Sequence, residues 1–140
     1  MGDFSATVHA VDALDGSLIW RTAVGDHPDA TITGSPKLHE GKLYVPISSS
    51  EWATAADPGY ACCTFQGGVV AVDAASGALQ WRNHVIDEAA VETSEKNPFG
   101  VPRKGPAGAP VWNSPTIDAD RGVLYVGTGE GYTSPAADTS

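Results

Sequence analysis

Two glutamates stand just after predicted strands, and they are the first residues whose type and place could do chemistry. Glu51 follows the run Ser48–Ser50, and Glu130 follows a Gly-Thr-Gly run. If these strand ends meet at one channel, the two carboxylates converge on it and suit a hard cation such as Ca²⁺, which prefers oxygen ligands. The alternative is a solvated carboxylate at each strand end, because Glu is seldom buried. The residues alone leave both interpretations open.

The two cysteines of the sequence, Cys62 and Cys63, are adjacent. Neighbouring Cα atoms lie about 3.8 Å apart across a trans peptide and about 2.9 Å across a cis one, below the usual disulfide range of about 4.4–6.8 Å. This spacing disfavours a disulfide, whereas an oxidising compartment would favour one over two free thiols. Two cysteines are too few for a structural zinc site, and no Cys-x-x-Cys-His motif indicates haem attachment.

The aromatic and titratable side chains divide into structural and site candidates. Trp20 and Trp81 recur at one repeat position and are predicted to pack between structural units. Trp112 lies outside that repeat, and Trp52 either lines a channel or is an exposed loop aromatic. The histidines have no Ser, Cys or second His at catalytic spacing, so they are predicted to be surface or turn residues: His9, His27, His39 and His84.

Two kinds of hairpin alternate along the chain and must position these residues. One ends in an Asp turn with Gly and closes on Trp; it occurs near residues 8–22 and 69–82, with the Trp residues 61 positions apart. The other begins with Ser-Pro; it occurs near 33–47 and 112–128, with the serines 79 positions apart. One Ser-Pro hairpin followed by one Trp hairpin makes four strands, the content of a propeller blade. The predicted fold class is therefore all-β, a partial β-propeller of about two four-stranded blades.

Two long connections interrupt the hairpins, and we interpret them as an insertion over residues 47–66 and a loop over residues 87–110. Insertions of this kind emerge on the faces of a propeller, where ligands bind. The chain then holds half a blade, a full blade and half of the next. Because two blades cannot close a ring, we expect residues 1–140 to be a fragment of one propeller domain, completed by the rest of a longer chain.

Composition and charge exclude several classes of partner. The 140 residues are 41% hydrophobic, with 16 Gly and 10 Pro, which favours strands and turns over helices. The formal net charge is −9, which argues against nucleic acid and anionic membrane surfaces as partners. No apolar run approaches the length of a membrane span, and no signal peptide is visible at the N-terminus.

The repeated phrase Ala-Val-Asp-Ala-x-x-Gly-x-Leu-x-Trp, at residues 10–20 and 71–81, resembles the tryptophan-docking repeat of quinoprotein alcohol dehydrogenases. These are eight-bladed propellers that hold pyrroloquinoline quinone (PQQ) and a metal ion in the central channel. Residues 60–68, Tyr-Ala-Cys-Cys-Thr-Phe-Gln-Gly-Gly, and 112–118, Trp-Asn-Ser-Pro-Thr-Ile-Asp, are most similar to the polyvinyl alcohol dehydrogenase branch. The resemblance covers nearly the whole chain.

The resemblance implies roles for individual residues. Thr33, three positions before Pro36, matches a cofactor-contacting Thr of the family. Ser48, Ser49, Ser50 and Glu51 match a Ser-Gly-Ala-Glu run, in which the small residues line the quinone and the Glu binds the metal.

Further implied roles come from the second Ser-Pro hairpin and the cysteines. Trp112 matches the Trp under the quinone ring, and Glu130, 18 positions later, stands where the family has a metal-binding Asn. The extra negative charge of Glu130 leaves the identity of the metal open, Ca²⁺ or another hard cation. The resemblance also implies a vicinal disulfide of Cys62 and Cys63 against the cofactor, although the family carries its own in an earlier blade.

The implied function is oxidation of an alcohol, for example a secondary hydroxyl on a polymer, with cytochrome c as electron acceptor and a periplasmic or secreted location. Nothing in the chain matches the family's catalytic Asp, so the base is expected outside it, and the fragment alone is expected to be inactive. The alternative is a non-catalytic propeller scaffold for protein binding, of the outer-membrane assembly lipoprotein type. The two hypotheses differ on whether Glu51, Glu130 and Trp112 face one cavity.

Overall fold

The computed structural model describes residues 1–133. Within them it has thirteen β-strands and one helix of a single turn, so this part of the chain is all-β as predicted. The elements in chain order are β1 (Thr7–Val11), β2 (Leu18–Ala23), β3 (Ala30–Thr31), β4 (Lys37–His39), β5 (Lys42–Ser49), α1 (Glu51–Thr54), β6 (Gly68–Asp73), β7 (Leu79–His84), β8 (Val91–Lys96), β9 (Pro102–Gly105), β10 (Ala107–Gly108), β11 (Thr116–Asp118), β12 (Val123–Tyr125) and β13 (Gly131–Thr133).

A four-stranded antiparallel sheet in the order β4-β5-β6-β7 forms the centre of the structure. The short strand β3 extends it by pairing with the far end of β5, where Thr31 lies opposite Ser48. The hairpin β1–β2 precedes this sheet and β11–β12 follows it. This is the arrangement of half a blade, a blade and half a blade that the sequence predicts.

The turns of the hairpins follow from their residues. Between β4 and β5, Glu40 and Gly41 both have positive φ, 46° and 74°, which is the two-residue turn whose twist matches that of the flanking strands. The turns of β1–β2 and β6–β7 are alike: the N–H groups of Gly16 and Gly77 donate to the carbonyls of Asp12 and Asp73 at 2.8 Å in each case.

The interpretation of residues 87–110 as a loop is wrong in its middle part. This segment contains the hairpin β8–β9. Its turn is organised by Asn97, whose side-chain oxygen accepts the N–H groups of Phe99 and Val101 at 2.9 and 3.0 Å. Strand β8 is largely exposed, so it lacks the alternation of buried and exposed side chains by which a strand is recognised in a sequence.

The insertion predicted over residues 47–66 is also more ordered than the sequence suggests. Strand β5 continues through Ser49, and α1 begins two residues later. The chain then returns along β9: Lys104 donates its N–H to the Cys62 carbonyl at 2.7 Å, and its own carbonyl accepts the Cys63 N–H at 3.0 Å. We call residues 60–67 the cysteine loop.

One hydrophobic core joins β1, the central sheet and the cysteine loop. Phe65 of the cysteine loop is fully buried and packs with the inward-facing side chains of these strands. The buried members of this core are Ala6, Val8, Val24, Ala30, Ile32, Val45, Ile47, Phe65, Val70 and Val72. Across residues 1–133, no helix is both long and apolar enough to cross a membrane.

Candidate functional site

Two neighbouring cavities open where the central sheet meets the segment around β13. The first cavity has a volume of about 370 Å³ and the second about 240 Å³. Both are lined by Trp52, Glu130 and Tyr132, so they adjoin along these side chains. The remaining lining of the first cavity is Ser48, Ser49, Pro110, Trp112 and Gly129. The remaining lining of the second is Ala55, Cys62, Cys63 and Gly131.

Ser48 and Ser49 reach the first cavity because they end β5. Both are buried, and pairing of β5 with β3 fixes their backbone. Just before them, the carbonyl of Ile47 accepts the N–H of Val111 at 3.0 Å, which joins this strand to the segment carrying Trp112. Small hydroxyl side chains at this place provide donors to the cavity without filling it.

Trp112 and Glu130 reach the same cavity because the two segments that carry them are joined by backbone hydrogen bonds. The Ala109 N–H donates to the Glu130 carbonyl at 2.9 Å, and the Gly129 N–H donates to the Pro110 carbonyl at 2.8 Å. Both side chains are exposed to the cavity and beyond. A methyl group at Gly129 would come within 2.9 Å of Pro110 Cγ, so glycine keeps this wall open.

Glu51 does not line either cavity. Its side chain is fully buried, and it points into the cysteine loop. One carboxylate oxygen accepts the Tyr60 hydroxyl at 2.8 Å and the Thr64 N–H at 2.7 Å, and the other accepts the Phe65 N–H at 2.9 Å. Of the three residues that separate the two functional hypotheses, the structure therefore brings Glu130 and Trp112 to one cavity and leaves Glu51 buried outside its lining.

His27 begins a turn, as predicted, because its carbonyl accepts the Ala30 N–H at 3.0 Å, but its side chain does not lie at the surface. Its ring is largely covered and lies edge-on to Phe65, with ring centroids 5.7 Å apart. Its Nε2 lies 3.0 Å from Thr64 Oγ1 and 3.6 Å from a Glu51 oxygen. No local pattern indicates this contact, because His27 and Thr64 are 37 positions apart.

Cys62 and Cys63 form a disulfide, as predicted, and no cysteine of the chain is free. The pair lines the second cavity, beside Glu130 and Tyr132. Cys63 is fully buried and Cys62 is partly exposed.

Two predicted cofactor contacts stay outside the lining of both cavities. Thr33 is exposed, and its hydroxyl lies 3.5 Å from the Trp112 carbonyl, at the edge of the site. The Ser50 hydroxyl is directed to the Asp29 carbonyl at 3.4 Å. Their roles toward a cofactor stay predictions.

Tyr132 is the site residue that the sequence did not single out. It lines both cavities and packs against Phe65, with ring centroids 6.4 Å apart. Burial raises the pKa of the Tyr132 hydroxyl, a hydrogen bond with Ser49 lowers it, and the negative charges of Glu51 and Glu130 raise it. Burial and the hydrogen bond to Glu51 likewise raise the pKa of Tyr60 to about 12. Both hydroxyls therefore stay protonated near neutral pH and can donate.

The lining of the first cavity fits a flat, polar, aromatic ligand. Its volume lies in the range of about 300–1,000 Å³ that is usual for ligand pockets. Trp112 and Trp52 supply aromatic surface, and the serines and Tyr132 supply hydroxyl groups. Glu130 would repel a ligand that itself carries carboxylates, such as PQQ, unless a cation lay between them.

The fit to a metal ion is only partial. Among residues 1–133 no three His, Cys, Asp or Glu side chains are grouped so that they could hold one. Glu130 is a predicted ligand that lines the cavity, whereas the Glu51 oxygens are engaged by the cysteine loop. The described residues thus supply one cavity-facing carboxylate and not a complete ligand set.

Comparisons with known proteins show what this chain is similar to. The chain is 41% identical over 131 residues to polyvinylalcohol dehydrogenase of Pseudomonas sp, and the match covers 94% of the chain and 20% of that protein. The chain is homologous to a segment of polyvinylalcohol dehydrogenase. A second relative of that name, from Sphingopyxis sp. (strain 113P3), is 39% identical over 99% of the chain and 21% of its own length. No family model matches the chain.

A wider relationship is consistent with this one. Quinohemoprotein alcohol dehydrogenase of Comamonas testosteroni is 27% identical over 94% of the chain and 19% of that protein. The chain thus spans about one fifth of the length of the curated relatives it matches. These matches confirm the resemblance to quinoprotein alcohol dehydrogenases inferred from the repeated phrase.

Solved structures confirm the fold. The crystal structure of the Comamonas testosteroni quinohemoprotein alcohol dehydrogenase matches with a TM-score of 0.62 at 23% identity, over 92% of the chain and 19% of that structure. A europium-containing methanol dehydrogenase matches with a TM-score of 0.65 at 20% identity, over 95% of the chain and 24% of that structure. At such identities the likeness is one of fold: the chain is part of a propeller of this kind.

Proposed function

We propose that this chain is a segment of a PQQ-dependent alcohol dehydrogenase of the polyvinyl alcohol dehydrogenase type. The observation that carries the proposal is the first cavity, which joins Ser48 and Ser49 to Trp112 and Glu130, residues predicted for the cofactor site from two different hairpins. The 41% identity to a polyvinylalcohol dehydrogenase supports it. The whole protein would oxidise hydroxyl groups, such as secondary alcohols of a polymer, to carbonyls.

The residues of the first cavity would make different kinds of contact with PQQ. Trp112 offers a face on which a flat ring stacks, and the hydroxyls of Ser48, Ser49 and Tyr132 offer hydrogen bonds to its oxygens. Cys62 and Cys63 form the wall of the adjoining cavity. Thr33 and Ser50 would contribute from the edge of the site.

Glu130 would hold a hard cation, Ca²⁺ or another, between its carboxylate and the ligand. This role is supported by its place on the cavity and by the description of one structural neighbour as europium-containing. The metal role predicted for Glu51 stays a prediction, and its burial favours a different one. Further cation ligands would come from outside residues 1–133.

When bound, PQQ would supply the acceptor for the hydride, and with it the two electrons, that the alcohol carbon loses. The hydroxyl proton would pass to a base outside this chain. The electrons would then leave to an external acceptor, which we propose to be a cytochrome c. A ligand lying against the exposed side chains of Trp52 and Trp112 would be shielded from water on that side. The disulfide favours a periplasmic or secreted location.

The test uses the full protein that carries this segment, purified without cofactor. PQQ is titrated with and without Ca²⁺, following tryptophan fluorescence and dye-coupled oxidation of primary, secondary and polymeric alcohols. We expect cation-dependent quenching and activity, both reduced at least tenfold in Glu130→Gln. The matched control is Glu92→Gln, an exposed carboxylate of β8. Absence of PQQ binding with every cation would contradict the proposal and favour the scaffold hypothesis.

A further inference from the structure

Glu51 is a fully buried carboxylate of the site region, and its three hydrogen-bond donors at 2.7–2.9 Å all belong to the cysteine loop. We infer that Glu51 anchors the cysteine loop, and through it the Cys62–Cys63 disulfide, while the cavity-facing carboxylate is Glu130. The anchoring part stands without any ligand. The division of roles between the two glutamates rests on the proposed function.

The hydrogen bonds of Glu51 join points far apart in sequence but belonging to one loop. Its oxygens accept from the Tyr60 hydroxyl, the Thr64 N–H and the Phe65 N–H, at 2.7–2.9 Å, and these donors lie 9, 13 and 14 positions along the chain. Such bonds to a carboxylate are stronger than those between neutral groups. Two of the donors are backbone groups, so the loop's path, and not only a side chain, depends on Glu51.

His27, which lies outside the cysteine loop, also contacts this network. Its Nδ1 accepts the Asp29 N–H at 3.1 Å, so the proton of the neutral ring is assigned to Nε2. Nε2 therefore donates to Thr64 Oγ1 at 3.0 Å and directs the same positive edge toward Glu51, 3.6 Å away. Each of these polar neighbours presents a donor to the carboxylate, which is the arrangement that a buried anion requires.

A cation role for Glu51 conflicts with these contacts. The side chain is fully buried and contributes to the lining of neither cavity. Turning it toward the first cavity would leave the Thr64 and Phe65 N–H groups and the Tyr60 hydroxyl without their acceptor, which is unfavourable for buried donors. Glu130 already faces both cavities and needs no such rearrangement.

The opposite edge of the cysteine loop is held separately. Cys62 and Cys63 exchange two backbone hydrogen bonds with Lys104 of β9. The disulfide thus lies between two attachments, β9 on one side and Glu51 on the other. Removing the second attachment leaves the Thr64 and Phe65 N–H groups without their acceptor, whereas the Phe65 carbonyl still accepts the Gly108 N–H at 2.7 Å.

The experiment measures hydrogen exchange by mass spectrometry on the full protein, with peptides that separate residues 60–67 from β6. Glu51→Gln replaces one carboxylate oxygen by an NH2 group, which cannot accept from the three donors that the carboxylate now binds. We expect exchange at Thr64 and Phe65 to become at least tenfold faster, with β6 unchanged. Glu130→Gln is the matched control and should leave both regions as in the wild type. Unchanged exchange at residues 64 and 65 in Glu51→Gln would overturn the anchor.

A second variant covers the case in which Glu51→Gln does not fold. Tyr60→Phe removes one donor and keeps the carboxylate, and we expect exchange at Thr64 and Phe65 to become about two- to fivefold faster, because one of three restraints on the anion is lost. Exchange equal to the wild type in Tyr60→Phe would then count against the anchor.

The division of roles is tested by calorimetric titration with Ca²⁺ alone. We expect at least a tenfold loss of affinity in Glu130→Gln and less than a twofold change in Tyr60→Phe and Glu51→Gln. A loss in Glu51→Gln equal to that in Glu130→Gln would overturn the division of roles. If the wild type binds neither Ca²⁺ nor PQQ, the proposed function fails, while the exchange data still decide the anchor.

Discussion

The indole N–H of Trp20 donates to the carbonyl of Ala74 at 3.2 Å, although 54 positions separate them. Trp20 ends one Trp hairpin and Ala74 lies in the turn of the next. Beside this bond, the Thr22 hydroxyl donates to the Gly77 carbonyl at 2.7 Å. The first Trp hairpin is thus attached to the turn of the second, which is the packing predicted for Trp20.

This attachment predicts different effects for two equivalent glycines. A methyl group on Gly77 would lie 2.5 Å from Trp20 Cε3, whereas Gly16 has no atom within 4 Å, and both have positive φ. Gly16→Ala should cost about 1–2 kcal/mol from backbone conformation alone. Gly77→Ala should cost about 1–3 kcal/mol more through overpacking. Denaturant unfolding of the full protein compares them, and equal losses would mean that Trp20 is not docked there.

Because Phe65 is buried in the core, we expect the cysteine loop to contribute to the stability of the fold. Phe65 is fully buried between His27 and Tyr132. Phe65→Ala should lower the free energy of unfolding by about 3–5 kcal/mol, the usual cost of emptying a buried aromatic site. Phe99→Ala, at an exposed position of the β8–β9 turn, should change it by less than about 0.5 kcal/mol. Similar effects of the two substitutions on denaturant unfolding would mean that Phe65 does not belong to the core.

A substitution at Gly129 tests how closely the first cavity fits its ligand. A methyl group there would lie 2.9 Å from Pro110 Cγ and 3.3 Å from Trp112 Nε1. We expect Gly129→Ala to weaken PQQ binding about tenfold or more, the usual effect of one misplaced methylene-sized group. Fluorescence titration measures it, with Gly59→Ala as control, because a methyl group at Gly59 meets only Asp57 Oδ1 at 3.4 Å. Unchanged affinity would place the ligand elsewhere.

Asp73 predicts a pH dependence for the turn of β6–β7. Hydrogen bonds from the Ser76 hydroxyl and then the Ser76 N–H hold the pKa of Asp73 below its usual value. A lowered pKa in the folded state contributes stability above about pH 4, the unfolded value, and this contribution is lost as the pH falls through the folded value.

The corresponding variant is Ser76→Ala, which should bring the pKa of Asp73 back toward its usual value. Its melting temperature should lie below that of the wild type at about pH 6, and the gap should close as the pH falls below about 4, the unfolded value. Thermal melts across this range measure the gap, with Ser94→Ala, an exposed serine of β8, as control. A gap independent of pH would show that the Ser76 hydroxyl acts on stability by other means.

The sequence predicts the hairpins and several of the residues that line the first cavity. Alternating strands and turn residues such as Glu40-Gly41 depend on neighbours a few positions away, so local rules describe them. The family resemblance predicts Ser48, Ser49, Trp112 and Glu130 for the cofactor site; they line the first cavity, and their roles toward a cofactor stay predictions. The β8–β9 hairpin was missed because its side chains are mostly exposed and carry little hydrophobic pattern.

The orientation of Glu51 could not be predicted, for a physical reason. A Glu at a strand end points to water or to a ligand unless buried donors are supplied for it, and here they come from residues 60–65 and from His27. Such a network depends on how two loops fold against each other. The same holds for Tyr132, whose place depends on the pairing of β13 with β10.

The first cavity takes Ser48 and Ser49 from the central sheet and Trp112 and Glu130 from the segment that follows it. Among residues 1–133, the direct ties between these parts near the cavity include the Val111–Ile47 backbone bond, the Ser35–Ser114 bond, the Thr33–Trp112 contact and the Ser49–Tyr132 hydrogen bond. A molecule touching both walls therefore acts as a non-covalent cross-link between neighbouring blades. Its binding free energy adds to the cohesion of the ring by mass action, so ligand-free protein should come apart first along this seam.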